Sequence, residues 1–306
     1  MTNIIAVELK RFAWRRSFRA FGILALCGIA VAAVIVFIRS DRSSSGVAIV
    51  QTPRRILVQD CVRSFEEAGP ETVPPGFRSV REFCRAQAVP LGVEEDRRFR
   101  FTSMEDVYKG TSIPLIILGL ALGASFIGAE WHVGTITTLL TWEPRRVRVM
   151  GGKVLALALA VFTSAVVLQA ILGLALWPAA VLRGTTQGAD AAWLADTAGV
   201  VARGALIAAL AAALGFAIAS VARNTTTALI IGFAYFAVVE GLLRGFRPNW
   251  QQWLIGDNAA AFVTADPESI FMSGGRGTLA SLLVVAGYAV GLAALATAWF
   301  RARDVT

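Results

Sequence analysis

The sequence predicts an all-α polytopic membrane protein with six transmembrane helices and a small outer domain between the first two. Three observations lead there. Of 306 residues, 56% are hydrophobic and only 16% charged, whereas soluble domains carry about 25% charged residues. Six apolar runs stand out in the chain, each about as long as the ~20 residues of helix that cross a ~30 Å hydrocarbon core. Arginines collect at the ends of these runs rather than in one patch, which is the placement that anchors helices and sets topology.

Residues 1–20 precede the first run. Ile4, Ile5, Val7, Phe12 and Trp14 alternate there with a basic face, the pattern of an amphipathic helix lying in a membrane interface. Basic residues followed by an apolar run also describe a signal peptide. Here the run continues into "IRSDRSSS" without a small-residue cleavage pattern, so 21–38 reads as a retained first span, with Cys27 as a packing residue inside it. The polar segment 39–112, with "RSSSG" and "GPETVPPG", forms the outer domain. The remaining spans are expected at 113–129, 154–182, 198–222, 226–243 and 278–300, the third interrupted by Pro178, since proline removes a helical donor. Helices are the form expected because lipid offers no partners to backbone polar groups.

Orientation follows from Lys and Arg in the short segments. Lys10, Arg11, Arg15, Arg16 and Arg19 precede span 1, and Arg145, Arg146, Arg148 and Lys153 lie between spans 2 and 3. Arg223 follows span 4, and Arg301 and Arg303 follow span 6. They outnumber Arg183, Arg244, Arg247 and Arg276 on the other side. Both termini, the segment 130–153 and the tail 301–306 are therefore expected in the cytoplasm, with 39–112 and 244–277 outside. Cys61 and Cys84 then face an oxidising compartment, where disulfides persist. A bridge and two free thiols both stay open, because distance and side-chain direction decide between them.

The charged segment "GAEWHVGTITTLLTWEPRRVRVMGGK" at 128–153 interrupts this apolar chain. Val133, Ile136, Leu139 and Leu140 recur on one helical face. Gly134, Thr135 and further threonines fill the other face, and Pro144 stops the helix. Arg145 follows, and Gly151-Gly152 loosens the chain before Lys153. A short amphipathic helix at the cytoplasmic surface is expected, serving either to hold lipid phosphates or to dock a soluble partner.

Several chemistries lack their motifs. No G-x-x-x-x-G-K-[ST] occurs, and "MGGKV" cannot cradle phosphate. His132 is the only histidine, and no metal-ligand spacing or G-x-S-x-G is present. The net charge of +8 belongs to span flanks and not to a nucleic-acid motif. This chain is accordingly not expected to be an enzyme, and it is expected to carry no cofactor and no metal.

Polar residues inside spans are the default functional candidates. Gln169 lies in span 3 near Thr163 and Ser164, Tyr235 and Glu240 lie in span 5, and Arg203 lies near the outer start of span 4. A Glu240–Arg203 pair is geometrically possible. Gly119 and Gly123 form a GxxxG motif that permits close helix packing. The 5–6 segment, with Trp250, Trp253 and Phe262, reads as amphipathic pieces resting at the outer interface or entering the membrane.

Glu130, Gly134, Thr135, Leu139, Leu140, Pro144, Arg145, Gly152 and Lys153, in this order before the third span, resemble the ABC-2 type transporter permease family. The architecture resembles it along nearly the whole chain, although 39–112 is long for such a protein. The resemblance implies an ABC-2 permease-like fold, with the segment including Ile136 as a coupling helix docked on an ATPase subunit. It further implies two ABC ATPase subunits carrying ATP and Mg, a second permease copy in a homodimer surrounded by membrane lipid, and a 5–6 loop that re-enters the membrane. The function implied is ATP-driven export of a lipid-like, drug or peptide substrate. The alternative is a non-transporting membrane sensor or anchor with a ligand-binding outer cap; an intramembrane enzyme would need a catalytic cluster that the spans lack. Few lysines beside abundant arginine and alanine point to a GC-rich bacterium and its cytoplasmic (inner) membrane.

Overall fold

A computed structural model describes residues 2–40, 46–48, 61–65, 79–87, 93–95, 98–135, 146–266, 270 and 277–302. Among the described residues, six helical stretches are long and apolar enough to cross a membrane: Arg16–Arg39, Phe101–Val133, Val147–Arg183, Ala191–Ala222, Thr225–Phe246 and Thr278–Arg301. The architecture is that of an all-α polytopic membrane protein.

Helix α1 (Thr2–Trp14) ends at Arg15, whose extended backbone separates it from α2 (Arg16–Arg39). Strand β1 (Gly46–Ala48) pairs antiparallel with β2 (Val93–Glu95), and α3 (Val80–Gln87) holds Cys84, which is disulfide-bonded to Cys61 across 5.8 Å between Cα atoms. The second span is α4 (Met104–Val133) and the third is α5 (Arg146–Arg183). A two-residue parallel pairing joins β3 (Phe99–Arg100) to β4 (Gly184–Thr185) at their far ends. Beside it, Phe101 packs edge-on to Trp177 at 4.9 Å and against Trp193 at 5.2 Å.

The helices outrun the apolar runs. α4 begins nine residues before Ile113 and contains Pro114. α5 begins at Arg146, so Gly151 and Gly152 lie within it and do not loosen the chain, and Pro178 does not interrupt it. Intrahelical hydrogen bonds are worth keeping where water is absent, and neighbouring groups can absorb the one donor that proline removes. Cys27 is exposed on α2 and not packed inward.

α6 (Ala191–Ala222) is the most enclosed span. Asp190 starts it by accepting the Trp193 N–H at 2.8 Å. Its alanines and glycines let α4 come within backbone distance. A side chain on Gly119 or Gly123 would strike the carbonyls of Ala208 or Ala212, and one on Gly215 would strike the Leu120 carbonyl. The GxxxG motif is therefore used inside one copy of the chain, where small residues permit dispersion contacts that lipid alone does not drive.

The fifth span is built in three pieces: α7 (Thr225–Ala234), a π-helical turn at Tyr235–Val239, and α8 (Glu240–Phe246). Asn224 caps α7 by accepting from Thr226 N at 2.7 Å. A 3₁₀ segment (Pro248–Trp253) then turns the chain back into α9 (Ile255–Thr264). Ile255 packs against the cluster that includes Leu120 and Leu214, and Phe262 and Val263 pack in one cluster with Ile207 and Val285. The 5–6 segment thus folds into the bundle. The sixth span is α10 (Thr278–Ala302).

Candidate functional site

Three helices meet where α4 ends. Gly134 closes α4 in the left-handed region (φ +73°) and donates its N–H back to the last turn, a conformation that costs glycine least. Glu130 sits in that last turn. Lys153 comes from the second turn of α5, and Glu8 from the middle of α1. Lys153 is 2% exposed; its Nζ donates to Glu8 Oε1 at 2.9 Å and to Glu130 Oε1 at 3.1 Å. Arg15, at the break between α1 and α2, donates from Nη2 to Glu130 Oε1 at 2.7 Å and from Nη1 to the Phe126 carbonyl at 2.7 Å. Its guanidinium lies 4.3 Å from the centre of the Phe126 ring. Two carboxylates thus face two cations, all four largely out of water.

This balance matters because a buried charge is costly unless it is paired and hydrogen-bonded. Burial draws the Arg15 guanidinium below its ordinary value, while the carboxylates of Glu130 and Glu8 pull the other way. Around the network, Trp131 meets Phe300 of α10 at 5.8 Å, and Arg223, itself left-handed after α6, lies 4.6 Å over the Trp131 ring. Gly128 approaches the start of α7 so closely that a side chain there would meet Thr225. The end of α4 therefore touches α1, α5, α7 and α10.

Of the residues expected in the coupling segment, Glu130 and Lys153 are brought together. Gly134 caps α4, and the Thr135 hydroxyl donates to the Glu130 carbonyl at 3.4 Å. Ile136, Leu139, Leu140, Pro144 and Arg145 lie outside the described residues. Glu8 and Arg15 were not singled out by sequence. The available signal was that Glu8 is the only acid before Asp41, a lone carboxylate in a basic interfacial helix.

A second cluster forms around the N-terminus of α9. The Gly256 N–H donates to Glu240 Oε1 at 2.8 Å, and the Ile255 N–H to the Tyr235 hydroxyl at 3.4 Å. Arg244 reaches Glu240 Oε2 at 3.0 Å and Asp257 Oδ1 at 2.7 Å. Glu240 is 1% exposed. Its carboxylate serves one of the amide donors that a helix start leaves unpaired. Glycine at 256 leaves room for this approach, since an added side-chain carbon would meet the Glu240 carboxylate and displace it. The π turn sits directly before Glu240, a kind of bulge often found at functional sites.

The Glu240–Arg203 pair that the sequence left possible does not form. Arg203 Nε donates instead to the Val263 carbonyl at 3.2 Å, near the other end of α9. Arg244, one turn after Glu240 on its own helix, is the closer cation. Tyr235, Glu240 and Arg203 thus all hold α9, while Gln169 stands apart against α4 and α6. Beside α9 lies a cavity of about 780 Å³, walled by Ile113 and Ile117 of α4, Phe233 of α7 and Ala260 of α9, with Lys109 as its charged lining residue. It can admit an apolar body.

No family model, curated protein or solved structure matches the chain.

Proposed function

We propose that this chain is the membrane-spanning permease subunit of an ATP-driven ABC-2 type transporter, exporting a lipid-like, drug or peptide substrate. ATP hydrolysis belongs to two separate ATPase subunits, and a second copy of this chain completes the path. The observation that carries the reading is the buried Glu8–Lys153–Glu130–Arg15 network. It locks both ends of the segment 130–153 to each other and to α1. A push on that segment moves α1, α4 and α5 as a unit, because a paired buried charge resists separation.

The apolar cavity beside α9 supports the same reading as a stretch of the path. α9 hangs from Tyr235, Glu240 and Arg203, and its displacement would widen that stretch. In this reading the network lies on the cytoplasmic side and α9 toward the outside.

The test is copurification from native cells of the tagged, detergent-solubilised chain, compared with a Leu139→Asp, Leu140→Asp variant. An ATPase that copurifies with the wild type and is lost from the correctly inserted variant is the expected result. Absence of any ATPase under gentle conditions would overturn the permease reading and favour the sensor.

A further inference from the structure

A groove of about 620 Å³ runs between α5 and α10, with α6 as its floor. Short side chains make the space: Gly151 and Ala158 of α5, Ala213 of α6, and Ala294 and Ala298 of α10 line it. Nothing lies within 4 Å of a side-chain carbon added at Gly151. Leu155 and Val290, on the two walls, are 48% and 65% exposed, so the groove opens sideways toward lipid.

Its two ends differ. One reaches Arg301 in the last turn of α10, beside the start of α5 at Val147. Phe300 meets Trp131 there at 5.8 Å, which sets this end level with the ion-pair network, at a membrane surface. Arg301 is exposed, and Arg148, half-buried, follows Val147 in the first turn of α5. No Asp or Glu lines the groove. The other end stops at Ala158 and Ala289, among apolar residues. From Ala289 to Arg301 the helix rises about 18 Å, close to the ~15 Å depth of one leaflet of a ~30 Å core.

This length and charge fit one occupant. A spanning helix of another protein would need walls along the full ~30 Å, and would set Arg301 against apolar side chains. A free anion would use only the charged end. A phospholipid uses both: a chain lies between walls of matching length, and its phosphate meets a guanidinium able to bond two oxygens. With no acid in the lining to receive an ammonium, a head of net negative charge is favoured over a zwitterionic one. We propose that the groove is a binding site for one anionic phospholipid, with its phosphate on Arg301 and an acyl chain between α5 and α10. The site does not depend on the chain being a permease.

The experiment places the full-length protein in phosphatidylcholine nanodiscs with a trace of photolabel, either phosphatidylglycerol or phosphatidylcholine bearing the same diazirine acyl chain. Mass spectrometry measures the label on residues 147–158 and 289–301. Phosphatidylglycerol is expected to mark them about fivefold more than phosphatidylcholine, the effect of one arginine on an anionic lipid near a membrane surface. Arg301→Gln should erase that excess. Arg16→Gln, exposed at the start of α2 and outside the groove, should leave it unchanged. Gly151→Phe should fill the groove and remove most of the phosphatidylglycerol label from both segments while sparing the label on α2. Arg301 is at the surface, so its variant tests the site even if Gly151→Phe fails to fold. Equal labelling by the two lipids, an excess that survives Arg301→Gln or falls as far in Arg16→Gln, or wild-type labelling of a folded Gly151→Phe would overturn the proposal. So would the absence of lipid label from both segments, the result expected if another protein covers the groove.

Discussion

At the end of α4, two carboxylates from different helices face two cations, and Lys153 bridges α1 and α5 to Glu130. Against the opposite half of α4, two carboxylates share the Arg244 guanidinium, which is partly exposed, and Glu240 spends one oxygen on a backbone N–H. The first arrangement joins long helices through balanced, enclosed charge. The second holds one short helix, α9, by its end. Balanced charge in a dry site resists separation because each partner, left alone, is expensive. The second cluster is more easily released at Arg244, whose side chain is 44% exposed, so water can take over part of its contacts. The first cluster therefore ties long helices together, and the second fixes the start of one short helix.

The comparison breaks most visibly at Lys153. Lys153→Ala leaves Glu8 and Glu130 buried without their shared cation, and should destabilise the protein by about 3–5 kcal/mol, read from unfolding in detergent. Removing Glu240 is expected to do less. Glu240→Ala frees the Gly256 N–H and one contact of Arg244, costing about 1.5–3 kcal/mol, and hydrogen exchange should accelerate at the start of α9 while the network end stays protected. Glu240→Gln sharpens the point, because its amide oxygen still accepts from Gly256; a loss of about 1 kcal/mol is expected, with slower exchange than in Glu240→Ala. The smallest effect belongs to Arg11, which approaches Glu8 at 3.5 Å while 56% exposed. Arg11→Ala should change stability by about 0.5 kcal/mol or less, which separates the exposed edge of the network from its enclosed centre.

The spans were legible because apolar runs of 17 to 29 residues have one stable use in a chain of this composition. Their ends were not, since residues such as Arg146 and Met104 extend the helices through local hydrogen bonds that leave no trace in hydropathy. Pro178 misled for a related reason: in water it would break a helix, but among packed spans it is carried along. Glu130 and Lys153 could be found as charges beside spans, yet their partner Glu8 lies 145 positions from Lys153, a pairing that periodicity cannot express. The possible Glu240–Arg203 pair is not realised because α9 folds back into the bundle. That return puts Asp257 and Gly256 where only span residues had been considered.

The central claim is that Glu8 and Lys153 act as one unit across α1 and α5. A double-mutant cycle with Glu8→Gln and Lys153→Met, read from reversible unfolding in mixed micelles, tests it most directly. The account predicts a coupling energy of about 1–3 kcal/mol, the double variant being more stable than the sum of the single losses implies. Additivity to within about 0.3 kcal/mol would contradict it, and would leave α1 resting on α5 with no electrostatic lock between them.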